Sequence, residues 1–359
     1  MLAARMTLTE PHNFMLPTRS LIGGAAFLAA SLWALTWPSA LQARTAESHQ
    51  QTAHSQLFTS PHSRSTRKRI VQFPPNYSMG TLGITHRVYN PELHIVTDPL
   101  GPAQGKVALP EESCVTLHLG NLGYRHPEEL AKLPVDALYG LKITLISLGD
   151  AEDGLCDRVL TFAGSLSGLK VLDVSSSDVT DAGLVHAAKL KDLETVSAAD
   201  TAVSGSCLRS LSHLTHLREL NLRNDRLIPD SLSCLPKTES LTCLILEHTN
   251  MSNASLAHVG SCQNIEVLYI SRNPDVTDEG LRPLANLHHL VKLALDETNV
   301  SIKGLAVLKD LPLRDLTLPS TRYTGAEMAA IRRLFPHTYC HVLKETKDED
   351  AYVIMAPMH

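Results

Sequence analysis

Residues 169–193 read LKVLDVSSSDVTDAGLVHAAKLKDL, and the fold turns on how this stretch is read. Its apolar positions are Leu169, Leu172, Val174, Val179, Leu184 and Leu190, and the pattern restarts at Leu193. An alternating run (Leu172, Val174) gives way to a polar turn and then to a short helical pattern, so neither a lone strand nor a lone helix accounts for the order. A unit that cannot bury its own apolar face has to stack on copies of itself.

Copies are present on both sides. Aligning the middle aliphatic residue of each strand gives Leu117, Ile143, Leu172, Val196, Leu220, Leu244, Leu268, Leu293 and Leu316, with a near-constant step of 24 residues. That step lies within the range of leucine-rich repeats. The longer step from Ile143 to Leu172 predicts a surface loop around Thr161 to Ser167. In the best repeats the frame is LxxLxLxxTxVTDxGLxxLxxL. Leu241, Leu244 and Leu246 illustrate the inward positions of a short parallel strand. Ser177, Thr201, Asp225, Thr249, Asn273, Thr298 and Thr321 recur where the chain leaves the strand, and such short polar side chains bond buried backbone groups there. Thr180, Ser204, Ser252, Thr277, Ser301 and Thr324 precede the helical segment as N-cap candidates. The predicted class is α/β: a solenoid of about eight to nine repeats with an N-terminal β-rich cap.

Upstream of the repeats the character changes twice. Leu21 to Trp37 is an uncharged apolar run behind Arg19, followed by small residues up to Ala43. These are the parts of a secretory signal peptide, with an uncleaved membrane anchor as the rival. Residues 1–43 are therefore read as signal or anchor, with translation from Met1 or Met15, and 21–37 as a possible membrane tether. Residues 44–69 are polar and basic and read as a disordered linker. Residues 70–113 hold short β-type runs broken by Pro-Pro, Asn-Pro and Gly-Pro, an antiparallel unit placed to cap the repeats. The repeats occupy 114–343, with a final edge strand around Tyr339 to Leu343, and 344–359 form a C-terminal tail that either frays or folds back as a strand.

The bulk chemistry is that of a surface rather than of a reaction centre. The 359-residue chain is 43% hydrophobic and carries a net charge of −5, with an isoelectric point near 6.4. This leaves no global electrostatic footprint for nucleic acid. Aromatic residues make up 4%, too few for a stacking platform. The seven cysteines form no CxxC or CxxH, so they read as small buried hydrophobes. One bridge from Cys234 to Cys243 or Cys262 stays open for an exported protein. His213 with His216, and His288 with His289, lack a carboxylate or cysteine at ligand spacing and read as surface histidines. No cofactor, metal or catalytic constellation is expected.

The segments DVTDAGL (178–184) and DVTDEGL (275–281) resemble the TxVTDxGL leucine-rich repeats of exported bacterial proteins, and are similar to those of ribonuclease-inhibitor-like and F-box adaptor proteins. Upstream, VQFPPNYSMGTLGI, GPAQGKVALPEES and ELAKLPVDALYGLKI resemble the leader module of some bacterial members. The resemblance covers about Ile70 to Leu343. It implies a right-handed solenoid with parallel strands on the concave side, short helices on the convex side, and a protein partner. The chain departs from the pattern at IPDSL (228–232), where Pro229 stands in the cap region, and at AAD (198–200).

On that frame the partner would meet the outward strand positions. The candidates are Glu219, Asn221, Arg223, Ile245, Glu247, Val267, Tyr269, Lys292 and Asp296, with Ile245 and Val267 read as exposed apolar area and Arg223 and Tyr269 as hot-spot types. The expected function is a non-enzymatic protein-binding module, exported or membrane-anchored. The alternative is a cytosolic substrate-recognition adaptor of the F-box type, which needs an N-terminal helical docking motif where this chain has a leader and linker.

Overall fold

The computed structural model describes residues 67–86, 96–144, 154–319, 323–345, 350–355 and 357. The leader and most of the linker expected from the sequence lie outside them. Strands β1 (Lys68–Gln72) and β4 (Lys106–Pro110) pair antiparallel as a separate two-stranded sheet. β2 (Gly80–His86) lies antiparallel to both β3 (Val96–Pro102) and β5 (Val115–Leu119), which begins a 13-stranded mixed sheet.

From β5 onward the chain alternates strand and helix, and neighbouring strands are parallel. The strands are β6 (Gly140–Lys142), β7 (Val171–Asp173), β8 (Thr195–Ser197), β9 (Glu219–Asn221), β10 (Cys243–Ile245), β11 (Val267–Tyr269), β12 (Lys292–Ala294), β13 (Asp315–Thr317) and β14 (Tyr339–Glu345). Between them lie α1 (Asn121–Arg125), α2 (Leu155–Ala163), α3 (Asp181–Leu184), α4 (Leu208–Leu211), α5 (Asn253–Val259), α6 (Asp278–Leu281), α7 (Ile302–Leu305) and α8 (Gly325–Leu334), with 3-10 turns completing several of the helical segments. β15 (Asp350–Met355) adds antiparallel to β14, so the strand at Tyr339 is not the sheet edge it was expected to be.

Two further expectations are corrected. Leu141, not Ile143, lies opposite Leu117 and Leu172. Both Leu141 and Ile143 are fully buried, and a slip of two residues along a strand keeps the same face inward, which is why the pattern could not separate them. Nor is Thr161 to Ser167 a surface loop. Its first residues end α2, and Leu166 is in the core.

The core is built in rows. Leu172, Val196, Leu220, Leu244, Leu268, Leu293 and Leu316 are each fully buried in the middle of their strands and lie in register with one another. Burying a leucine contributes roughly 1.5–3 kcal/mol, and each row repeats that gain at every rung. Where the chain leaves the strand, Ser176, Asp200, Asn224, His248, Arg272 and Glu297 all adopt a left-handed backbone. The next residue then turns its polar group inward. Ser177, Thr201, Thr249, Asn273 and Thr298 each donate to the carbonyl oxygen three residues earlier, at 2.6–2.9 Å, as the frame predicts.

The TD and G of the motif act between repeats. The Thr180 hydroxyl accepts from the Ala182 N–H, an N-cap, while Thr180 also donates its N–H and hydroxyl to Asp157 of the previous repeat. Asp181 does the same for Ser204, and Asp278 for Ser301. A Cβ on Gly183 would collide with the Asp157 carboxylate, and one on Gly304 with that of Asp278. Glycine makes room for the aspartate at these two junctions, whereas the same position opposite Asp181 is Cys207, which donates its N–H to that carboxylate.

Candidate functional site

The face of the sheet away from the helices is formed by the first and third residue of each strand. The first row runs Glu219, Cys243, Val267, Lys292, Asp315 and Tyr339. The third runs Asn221, Ile245, Tyr269, Ala294, Thr317 and His341. Six of the nine candidates, Glu219, Asn221, Ile245, Val267, Tyr269 and Lys292, stand in these rows on four consecutive strands.

Arg223, Glu247 and Asp296 lie two residues past their strands and are half-buried. Their carbonyls carry the ladder onward, accepting from the backbone N–H groups of Asp200, Asn224 and Arg272.

One expectation fails here. Ile245 and Val267 are 2% and 3% exposed, not open apolar surface. With Cys243 they form a small hydrophobic cluster of their own, separate from the main core, and Tyr269 packs against it half-buried. Outward side chains in register stand close enough across parallel strands to shield one another. Burial pushes the Cys243 thiol up to about 12, with Glu219 and Glu266 adding to the shift, so it is a packing group and not a nucleophile. Cys234 and Cys262 belong to the main core, beyond the sheet from Cys243, and all seven cysteines remain thiols.

Polar contacts run across the strands around this cluster. Asn221 donates to the Ser197 hydroxyl at 3.1 Å, and Thr195 donates to Glu219 at 3.0 Å. Away from the cluster, on β6 and β7, Lys142 pairs with Asp173 at 2.9 Å. On the C-terminal side the Lys292 ammonium lies 5.5 Å from the centre of the Tyr269 ring and 3.9 Å from Asp315, and His341 reaches Asp315 at 3.3 Å. Tyr269, Lys292, Asp315 and His341 thus form one partly exposed patch over four successive strands. His341 was not among the sequence candidates. Extending the 24-residue step from Thr317 would have found it.

His213, His216, His288 and His289 are all exposed. Among the described residues no group of three or more His, Cys, Asp or Glu side chains is placed to hold a metal ion. Among them, too, no helix is long and apolar enough to cross a membrane; the run at 21–37 lies outside them.

Parallel strands at a leucine-bearing step, helical segments between them and short polar side chains at the described strand exits define a leucine-rich-repeat-like domain, a fold that is generally non-catalytic. The family described as Leucine Rich repeat matches residues 168–185 and 261–285. Among solved structures, the chain is similar to an internalin from Listeria monocytogenes, at 18% identity over 55% of this chain and 64% of that one, with a TM-score of 0.34. It is also similar to the plant peptide hormone receptor RGFR1 in complex with RGF2, at 19% identity over 50% of this chain and 33% of that one, with a TM-score of 0.33. The chain therefore spans less than two thirds of either relative's length. No curated protein matches the chain.

Proposed function

We propose that this protein is a non-enzymatic binding module of the TxVTDxGL type, which holds a protein partner on the strand face that is concave in such solenoids. One observation carries the reading: the patch of Tyr269, Lys292, Asp315 and His341 beside the sealed Cys243–Ile245–Val267 cluster. An aromatic ring and cationic side chains around a dry apolar floor are the usual composition of an interface centre. Glu219, Asn221, Arg223, Glu247 and Asp296 form its polar surround. The β-strands before the repeats act as the cap that shields the first rung. The chain is exported, or anchored through residues 21–37.

Capture with the full chain, identification of what is retained, and affinity measurement on variants test the site. Tyr269→Ala and Arg223→Ala each weaken binding at least about tenfold, while Arg282→Ala on the helical side leaves it unchanged. Unchanged affinity in both face variants overturns the placement. N-terminal sequencing of the mature protein tests export. A start near Leu41 or Arg44 supports a cleaved leader, an intact N-terminus in the membrane fraction supports an anchor, and an intact N-terminus in the cytosol refutes both.

A further inference from the structure

One stretch of the array lacks the devices that hold the rest together. Gly205 and Pro229 stand where Asp181, Asn253 and Asp278 stand in neighbouring repeats. The carboxylate or amide that grips the next repeat at Ser204, Thr277 and Ser301 is therefore missing at two consecutive junctions. Between β9 and β10 the connecting segment has only a 3-10 helix, Ser231–Lys237. At the turn into the next strand, Leu190, Leu214, Leu287 and Leu311 plug the core, but the equivalent positions here are Thr238 and Cys262. Surface grooves of about 310 and 260 Å3 open on either side of Thr238.

Asp225 occupies the strand-exit position in this same repeat. At five other rungs the equivalent side chain donates to the carbonyl three residues earlier. Asn273 does so through its amide nitrogen while its amide oxygen accepts from Thr249 and Met251. Asp225 reproduces the accepting half, since its Oδ1 takes the Thr201 N–H and shares the single Thr201 hydroxyl hydrogen with the Ala198 carbonyl. Its Oδ2 is buried with no hydrogen-bond partner among the described residues. The Leu222 carbonyl accepts the Asp225 N–H at 3.2 Å, and only a protonated carboxyl offers it the side-chain hydrogen that those five rungs supply.

We propose that Asp225 keeps its proton inside the fold and acts as a pH-sensitive latch on the weakest joint of the array, the repeat between Gly205 and Asn253. Burial raises its pKa to about 7 against the Thr201 hydrogen bonds, and the carboxylates of Asp200 and Asp181 push the same way. A second acid–base contact spans the joint: His258 lies 3.6 Å from Asp230, and it attracts only when the imidazole is charged.

The sign follows from where the proton is held. The folded form retains it to about pH 7, whereas the opened rung releases it in the ordinary carboxylate range. The latch is therefore fully closed below that range and is lost as the pH climbs through about 7. Because the strands on either side, β9 and β10, carry Glu219, Asn221 and Ile245, opening the joint splits the proposed binding face.

Hydrogen exchange on the full chain at pH 5 and pH 8, corrected for intrinsic rates, tests the latch. Amides of residues 198–250 lose at least about tenfold of their protection at the higher pH, and those of residues 290–318 do not. Asp225→Asn, which restores the missing donor, abolishes the difference and holds the joint closed at both values. Asn273→Asp transplants the same pH dependence to the rung at 246–273. Wild-type protection that is independent of pH overturns the proposal. An Asp225→Asn protein that keeps the full pH dependence also overturns it. An unchanged Asn273→Asp profile refutes the donor argument even if Asp225→Asn fails to fold.

Discussion

Asp181 accepts both the backbone N–H and the hydroxyl of Ser204, at 2.8 and 2.7 Å, and so binds one repeat to the next through a single carboxylate. It also takes the Cys207 N–H at 2.9 Å. Burial works against its ionisation, but the backbone donors of Cys207 and Ser204 and the Ser204 hydroxyl outweigh it and bring the carboxyl down to about 2. Its stabilising effect is present above the ordinary carboxylate range and is lost as the pH falls toward about 2. Asp181→Asn should lower stability at pH 7 by about 1 kcal/mol, a modest figure because the group is half-solvated. Urea unfolding at pH 7 and pH 2.5 checks this: the gap between variant and wild type narrows in acid.

Gly183 and Asp157 make the complementary case. Gly183→Ala should cost about 1–3 kcal/mol, because the new methyl group meets the Asp157 carboxylate. In an Asp157→Ala background the same glycine substitution should cost measurably less. Thermal unfolding of the four proteins gives the coupling, and strict additivity would rule out the contact as the reason for the glycine.

The repeats could be read from residue order because every inward leucine serves the same purpose at every rung. What could not be read lies between rungs. In LKITLI, Leu141 and Ile143 satisfy the same inward face, and only the neighbouring strands choose between them. The glycine of DAGL suggests tight packing in any frame, yet the group it makes room for is 26 residues upstream. Glu219, Asn221, Tyr269 and Lys292 stand first or third in their strands, an alternation visible in residue order, whereas the burial of Ile245 and Val267 depends on side chains contributed by adjacent strands. Asp225 sat in a row of hydroxyl and amide residues as one more short polar side chain. Its distinction, the absence of a hydrogen to donate, emerges only once each rung's acceptor is known.

Lys292 separates binding from folding. Its ammonium lies over Tyr269 and beside Asp315, and all three side chains keep part of their surface in solvent. Contacts of this kind contribute about 1 kcal/mol or less. Lys292→Met, which keeps most of the aliphatic stem, should therefore shift the unfolding midpoint little. Leu293→Ala, one residue on and fully buried, should cost about 2–5 kcal/mol. If Lys292→Met proves as destabilising as Leu293→Ala, the patch is a structural brace and not a surface held ready for a partner.

The thiols report on the same architecture without any substitution. Cys114 alone is partly exposed, while Cys156, Cys207, Cys234, Cys243, Cys262 and Cys340 are buried. Burial raises the thiol pKa of Cys243 and Cys262 to about 12 and of Cys340 to about 11. A reagent that needs the thiolate should modify Cys114 first in the native protein and reach the other six only after opening. Four of those six, Cys207, Cys234, Cys243 and Cys262, flank the joint around Asp225, whereas Cys156 and Cys340 lie well away from it in the array. Pulsed alkylation with peptide mapping at pH 8 should therefore label that group ahead of Cys156 and Cys340, and Asp225→Asn should remove the lead. Uniform labelling of all six would mean that the array opens as one cooperative unit, with no weaker repeat in its middle.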